Sequence, residues 1–199
     1  MSLEIGGTGY PIRADFRNIL EILATFNDPN YEDDEKQLIA IGLLYGDDEH
    51  DGLDIIPEEH WVEAAKKCFE FIDCGNSATD KNGKKKPRLM DWEQDAPLII
   101  PAVNSVLGKE IRSEDFLHWW TFMGAYMEIK ESLFSNVVSI RQKKAKNKKL
   151  EKYEQEFYAE NREIIDLGKK SHISEANKEE LRRMFGFKSK NTRSPSADK

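Results

Sequence analysis

The stretch FLHWWTFMGAYME, residues 116–128, puts five aromatic residues, two of them adjacent tryptophans, into thirteen positions of a chain in which 34% of residues are charged. Such a segment can cross a membrane, offer a binding surface or fill a core. A spanning helix needs about 20 predominantly apolar residues. Here the apolar run is interrupted by His118 and Thr121 and is flanked by Glu114, Asp115, Glu128 and Lys130, so it is too short and too charged to span. Read as a helix that starts at Ser113, it carries Phe116, Leu117, Trp119, Trp120, Phe122, Met123, Tyr126 and Met127 around almost its whole circumference. A helix that is apolar nearly all round is buried on most sides. The segment is therefore expected to be the central core helix rather than an exposed binding surface.

A buried helix needs amphipathic neighbours, and the chain supplies them. After Asp15, a capping residue, Phe16, Ile19, Leu20, Leu23 and Phe26 recur at helical spacing until Asp28-Pro29-Asn30 stops the run. Residues 33–45 begin with Asp33, Asp34 and Glu35, which suit the positive end of a helix dipole. Leu38, Ile41, Leu44 and Tyr45 then form that helix's face. Pro57 sits where a first helical residue belongs, ahead of a face made of Trp61, Ala64, Ala65, Cys68, Phe69 and Ile72. A fourth helix is expected after Asp91, bent or delayed by Pro97 and Pro101. Before all of these, LEIGGTGYPIR, residues 3–13, reads as two extended pieces about a glycine turn.

Residues 75–88 lack apolar periodicity and are expected to form an exposed loop. Residues 134–166 carry a sparse apolar stripe that includes Val137, Val138, Tyr153, Phe157 and Ile164. Unbroken, this stretch would run on the order of 48 Å at 1.5 Å per residue. A break at residues 146–148 would make it a helical hairpin instead. Leu181, Met184 and Phe185 suggest a short helix over residues 174–187, and the polar residues 188–199 suggest a disordered tail. The expectation is a mainly α, single-domain protein with a small N-terminal hairpin, a buried central helix and a long C-terminal helix or helical hairpin. Its parts are a helical core over residues 1–133, a basic helical region with a terminal helix over 134–187, and the tail.

Chemistry-bearing motifs are sparse. GGTG at residues 6–9 lacks the lysine and hydroxyl residue of a phosphate loop, and no helix starts after it. Asp47, Asp48, Glu49, His50 and Asp51, with His60 nearby, lack the alternating spacing and central glycine of a calcium loop, so they read as a solvated acidic loop. The four histidines are scattered, and no serine or cysteine near them forms a nucleophile motif. Cys68 and Cys74, six apart with no second pair, indicate neither a disulfide framework nor a zinc site. No catalytic residue, metal or cofactor is expected, and a reduced, cytosolic protein is the plain reading.

Charge is distributed unevenly. Residues 1–120 carry 25 acidic and 12 basic side chains, while residues 121–199 carry 12 and 18, within an overall charge of -7. The asymmetry allows head-to-tail self-association. The basic run Arg141, Lys143, Lys144, Lys146, Lys148, Lys149 and Lys152 is the strongest local signal and the candidate partner-binding site. Three readings stand for it: a solvated helix face, a contact for an acidic protein partner, or a nucleic-acid contact that releases counterions. The overall acidic balance argues against the last, and Tyr153, Phe157 and Tyr158 follow the lysines rather than interleaving with them.

DWEQDAPLIIPAVNSVLG, from residue 91, and LHWWTFMGAYMEIKESLFSNVVSIRQKKAKNKKLEKYEQEFY, from residue 117, closely resemble a family of small proteins encoded in the tail-gene clusters of phages and prophages of Gram-positive bacteria. GYPIRADFR, residues 9–17, is similar too, and the resemblance covers most of residues 3–167. Members of this family are described as tail proteins or tail assembly chaperones. The resemblance implies a nonenzymatic role in virion morphogenesis in the host cytoplasm, with the tape measure protein and tail tube protein as partners. A structural minor tail protein is the alternative that the same family allows. A nucleic-acid-binding protein acting through residues 141–152 is the reading from a different class.

Overall fold

The computed structural model describes residues 1–47, 49–75 and 87–168. The expected helix over 174–187, the tail over 188–199 and most of the loop over 75–88 lie outside the described residues. Strands β1 (Ser2–Ile5) and β2 (Thr8–Pro11) pair antiparallel, with Ile5 opposite Thr8, so Gly6 and Gly7 form a two-residue turn. Both glycines have positive φ, +56° and +80°, as a turn matched to the twist of a hairpin requires. A Cβ on Gly6 would lie 2.6 Å from the His60 ring, so the turn also depends on glycine for its close approach to the helix beyond.

Helix α1 (Phe16–Asn27) starts at Asp15, whose carboxylate accepts from the backbone N–H of Arg17. It buries Phe16, Ile19, Leu20, Ile22 and Ala24. The stretch before it is held by Arg13, whose guanidinium donates to the carbonyls of Gly42, Leu43 and Tyr45 at 3.0, 3.3 and 3.2 Å. Those carbonyls belong to the end of α2 (Asp33–Leu44), where helix geometry leaves acceptors without intrahelical donors. The same guanidinium donates to Asp47 and His50 carbonyls, so one side chain closes a helix and shapes the acidic loop after it.

The short helix α3 (Gly52–Ile55) is capped by Asp51, which accepts from the N–H groups of Leu53 and Asp54. A single 3-10 turn over Glu58–His60 leads into α4 (Trp61–Ile72), which buries Ala64, Ala65, Cys68, Phe71 and Ile72. Helix α5 (Ala96–Leu107) starts late, just ahead of Pro97, because a proline is tolerated in the first turn, where its missing N–H has no partner to lose. Pro101 lies inside the helix, and Gly108, at φ +69°, ends it.

Helix α6 (Trp119–Met127) contains most of the aromatic stretch, but it does not start at Ser113. Residues 114–117 remain outside any helix, because Asp15 accepts from the N–H of Leu117 and the Phe16 N–H donates to the Leu117 carbonyl. The cap is His118, whose Nδ1 accepts from the Trp120 N–H at 3.1 Å. Trp119, Phe122 and Ala125 are buried. Trp119 stacks on Phe122 at 5.7 Å between ring centroids, and Phe122 stacks on Phe16 at 4.7 Å. The helix is thus central, packed on α1 and α5, while its opposite face is open.

The stretch over 134–166 is broken. Helix α7 (Leu133–Ala145) is followed by a turn, then by α8 (Lys152–Glu160) and α9 (Arg162–Ile165). Of the two readings left by the sequence, the structure adopts the one with the break. Phe134 joins the main core, while Val137, Ile140 and Ile165 form a second small one with Leu98, Leu150, Phe157, Tyr158 and Ile164 against it.

Candidate partner-binding surface

The seven basic residues of the candidate site divide into three groups once the chain is folded. Arg141 is buried, at 6% exposure. Its guanidinium donates to both carboxylate oxygens of Asp95, at 2.6 and 2.8 Å, and to the carbonyls of Leu89, Ile164 and Ile165. Helical spacing placed it with the lysines, but the fold spends its five donors inside the chain. It fastens α9 to α7 and to the start of α5 and does not contribute to an outer surface.

Lys143 and Lys144 hold the strap made by α8 and α9. The Lys143 ammonium donates to both oxygens of Glu154, at 2.6 and 2.8 Å. That bond, with a backbone hydrogen bond from Glu151, holds the Glu154 carboxyl below its ordinary value. Lys144 pairs with Asp166 and stands 3.7 Å above the centre of the Tyr158 ring. Partial burial works against its charge, but the bonds to Asp166 and Tyr158 outweigh it and its pKa is raised. The Tyr158 hydroxyl donates to the second Asp166 oxygen at 2.8 Å. Asp166 is held below its ordinary value, first by Lys144.

Lys146, Lys148, Lys149 and Lys152 are exposed. Helix α7 ends with Asn147 in the left-handed region, at φ 51°, where asparagine is tolerated better than most residues. The Lys148 N–H reaches back to the Lys143 carbonyl at 2.8 Å, and the Asn147 N–H to the Lys144 carbonyl at 3.0 Å. This closure satisfies carbonyls at the end of α7 and leaves Lys146, Lys148 and Lys149 exposed in the connection to α8, which Lys152 opens. Part of the role of Lys146, Lys148 and Lys149 is local, since they follow the negative end of the α7 dipole, which cations favour, whereas Lys152 opens α8. As a contact surface, the turn offers compact positive charge without the planar fork of arginine, which suits carboxylates on a partner's surface more than a bidentate recognition site.

A second surface was not anticipated, because the aromatic stretch was expected to be buried on most sides. Phe116, Trp120 and Met127 are 57%, 43% and 63% exposed. Trp120 is nonetheless fixed in place, stacked on Phe71 at 5.4 Å with its indole N–H donating to the Phe71 carbonyl at 2.9 Å. His118 meets the edges of Phe71, Phe116 and Trp120 at 5.9, 6.4 and 5.7 Å. Gly124 is exposed, and a Cβ there would meet nothing within 4 Å. Within α6 the signal lay in Trp120, Gly124 and Met127, spaced i, i+4 and i+7 on one side of the helix, while Phe116 precedes it.

The acidic loop shows how its carboxylates are used. Asp47 accepts from the N–H groups of Glu49 and His50, and Asp51 caps α3. Among the described residues, no group of three or more metal-ligating side chains gathers at one point. Among them also, no helix is long and apolar enough to cross a membrane.

A search of the curated proteins and one of the solved structures found no match. A protein-family model, described as the bacteriophage Gp15 protein, matches residues 1–167, which takes in every element from β1 to α9. On that match, over more than four-fifths of its length, the chain belongs to the bacteriophage Gp15 protein family.

Proposed function

We propose that this chain is a nonenzymatic assembly chaperone of phage tail morphogenesis, which binds the tape measure protein, tail tube subunits or both in the host cytoplasm. The observation that carries this reading is membership of the phage family over residues 1–167. It agrees with the resemblance of the central and C-terminal blocks to tail-module proteins. The turn at Lys146, Lys148, Lys149 and Lys152 supports a protein contact. Its four exposed ammonium groups can meet an acidic partner without disturbing the ion pairs that hold α8 and α9.

A tape measure protein presents long amphipathic helices before a tube encloses it, and a helical protein that covers them prevents their aggregation. The test is coexpression of this chain with the neighbouring tape measure and tail tube proteins. A tape measure that is soluble only in the presence of this chain, and that elutes with it, supports the reading. Finding the chain in fixed ratio in purified mature particles would replace it with the structural tail protein.

A further inference from the structure

We infer that copies of this chain associate head to tail: the basic connection between α7 and α8 of one copy seats on the acid-rimmed aromatic strip along α6 of the next.

The receiving strip is continuous and fixed. Trp120, Gly124, Met127 and Glu128 fall at i, i+4, i+7 and i+8, on one side of α6. A Cβ on Gly124 would meet nothing within 4 Å, so the middle of the row lies low and open. The His118 ring links Phe116 to Trp120, and its Nε2 stands 3.2 Å from the Met1 sulfur. Trp120 is held by its stacked partner Phe71 and a hydrogen bond, so its orientation is set before anything binds. Exposed Phe, Trp and Met side chains gathered inside a polar rim have the composition of an interface centre.

That rim is acidic. Asp115, Glu128 and Glu131 are exposed. Glu114 is taken up by Lys109 at 2.9 Å, and Lys130 is the one lysine or arginine within residues 114–131.

The α7–α8 connection presents the complement. Lys146, Lys148, Lys149 and Lys152 are exposed, and beside them stands the Tyr153 ring, 69% exposed. The acidic residue closest to these lysines in sequence, Glu151, uses its carboxylate to accept a backbone N–H in the first turn of α8. One patch is thus an aromatic row with a negative rim, and the other an aromatic ring among positive charges.

Within one copy the two rims do not answer each other. Glu128 and Glu131 stand just ahead of α7, and Lys146, Lys148 and Lys149 just after it. The 13 residues of that helix keep them about 20 Å apart, well beyond the screening length of about 10 Å at 0.1 M salt. A second copy supplies both complements at once. A symmetric strip-to-strip dimer would instead bring like charges together, because each copy contributes Glu128 and Glu131. The head-to-tail contact leaves a free strip at one end and free lysines at the other, so it propagates instead of stopping at a dimer.

The full-length chain is tested alone, with no tail protein present, so the outcome is separate from the tape measure reading although the same lysines serve both. In sedimentation velocity at about 50 mM salt, the weight-average mass should climb with protein concentration past that of a dimer, and at about 500 mM the association constant should fall at least ~10-fold. Glu128→Lys/Glu131→Lys and Lys148→Glu/Lys149→Glu should each weaken association by at least ~10-fold, as should Phe116→Ser/Met127→Ser with every charge kept. A chain carrying both charge reversals should associate again, which a misfolded variant could not do. A chain that stays monomeric at every concentration and salt would overturn the proposal. So would a mass that levels off at the dimer, association that survives the single reversals or the strip substitution, or a combined reversal that fails to restore it.

Discussion

Arg141 and Asp95, 46 residues apart, form a two-pronged ion pair at 2.6 and 2.8 Å, with side chains only 5% and 0% exposed. The Asp95 carboxylate also accepts from the Asp91 N–H at 2.9 Å. The pair joins α7 to the start of α5, and through the carbonyls of Ile164 and Ile165 it carries α9 as well. Arg141→Ala leaves the buried carboxylate without its partner and should lower stability by about 3–5 kcal/mol. Replacing both, Arg141→Met with Asp95→Leu, removes the unpaired charge but still takes the donor from the Leu89, Ile164 and Ile165 carbonyls and the acceptor from the Asp91 N–H, so it should recover only part of that loss. Chemical denaturation of the single and double variants measures the difference.

The two faces of α6 should respond in opposite ways. Phe122→Ala removes a fully buried ring stacked between Phe16 and Trp119 and should cost about 3–5 kcal/mol. Met127→Ser acts on an exposed side chain and should stay within about 0.5 kcal/mol. Thermal unfolding of both variants checks the contrast.

Arg13 should not be replaceable by lysine. Its guanidinium reaches the Gly42, Leu43 and Tyr45 carbonyls together, and a single ammonium cannot span the same acceptors. Arg13→Lys should cost about 1–3 kcal/mol, chiefly through the Gly42 and Tyr45 carbonyls, since the Leu43 carbonyl also accepts from Asn18 at 2.9 Å. Faster amide exchange in the last turn of α2 would locate the effect.

Acid should loosen the C-terminal strap before the main core. Folding lowers the carboxyls of Glu154 and Asp166, from 4.5 and 3.8 respectively, chiefly through Lys143 and Lys144. A carboxyl lowered on folding contributes stability that is fully present above its unfolded value and is lost as pH falls through the folded one. Lys143 and Lys144 are raised on folding, so their share is present below the ordinary lysine value and fades only in strong alkali. Glu110, lowered to about 2 first by Arg112, loses its contribution over the range from 4.5 down to that value. Asp166 and Glu110 are substantially exposed, so their effects are small, whereas the Glu154 side chain is only 5% exposed and is shielded better from solvent. Stability should be level across neutral pH and decline in acid, with α8 and α9 exchanging first.

Reading the sequence worked where one helix face decides the outcome. Phe16, Ile19 and Leu20 are buried on α1 as their spacing requires, and Pro97 delayed α5 through a purely local effect. It failed where a distant partner decides. Nothing near Ser113 shows that Asp15, about a hundred residues earlier, holds Leu117 outside a helix. Nothing near Arg141 shows that Asp95 and the Ile164 and Ile165 carbonyls will enclose it. Trp119 and Trp120 are adjacent and equally apolar, yet one is buried and the other 43% exposed, because helix geometry turns them about 100° apart.

We propose that this chain binds a tail protein during assembly, and copurification with the tape measure and tail tube proteins is the measurement that decides it. The wild-type chain should keep the tape measure soluble and elute with it. A variant with Lys146, Lys148, Lys149 and Lys152 changed to glutamine should fold as stably and lose most of that binding, because those side chains are exposed on the turn. A tape measure that stays insoluble beside the folded wild-type chain, with the chain itself recovered in finished tails, would contradict the claim.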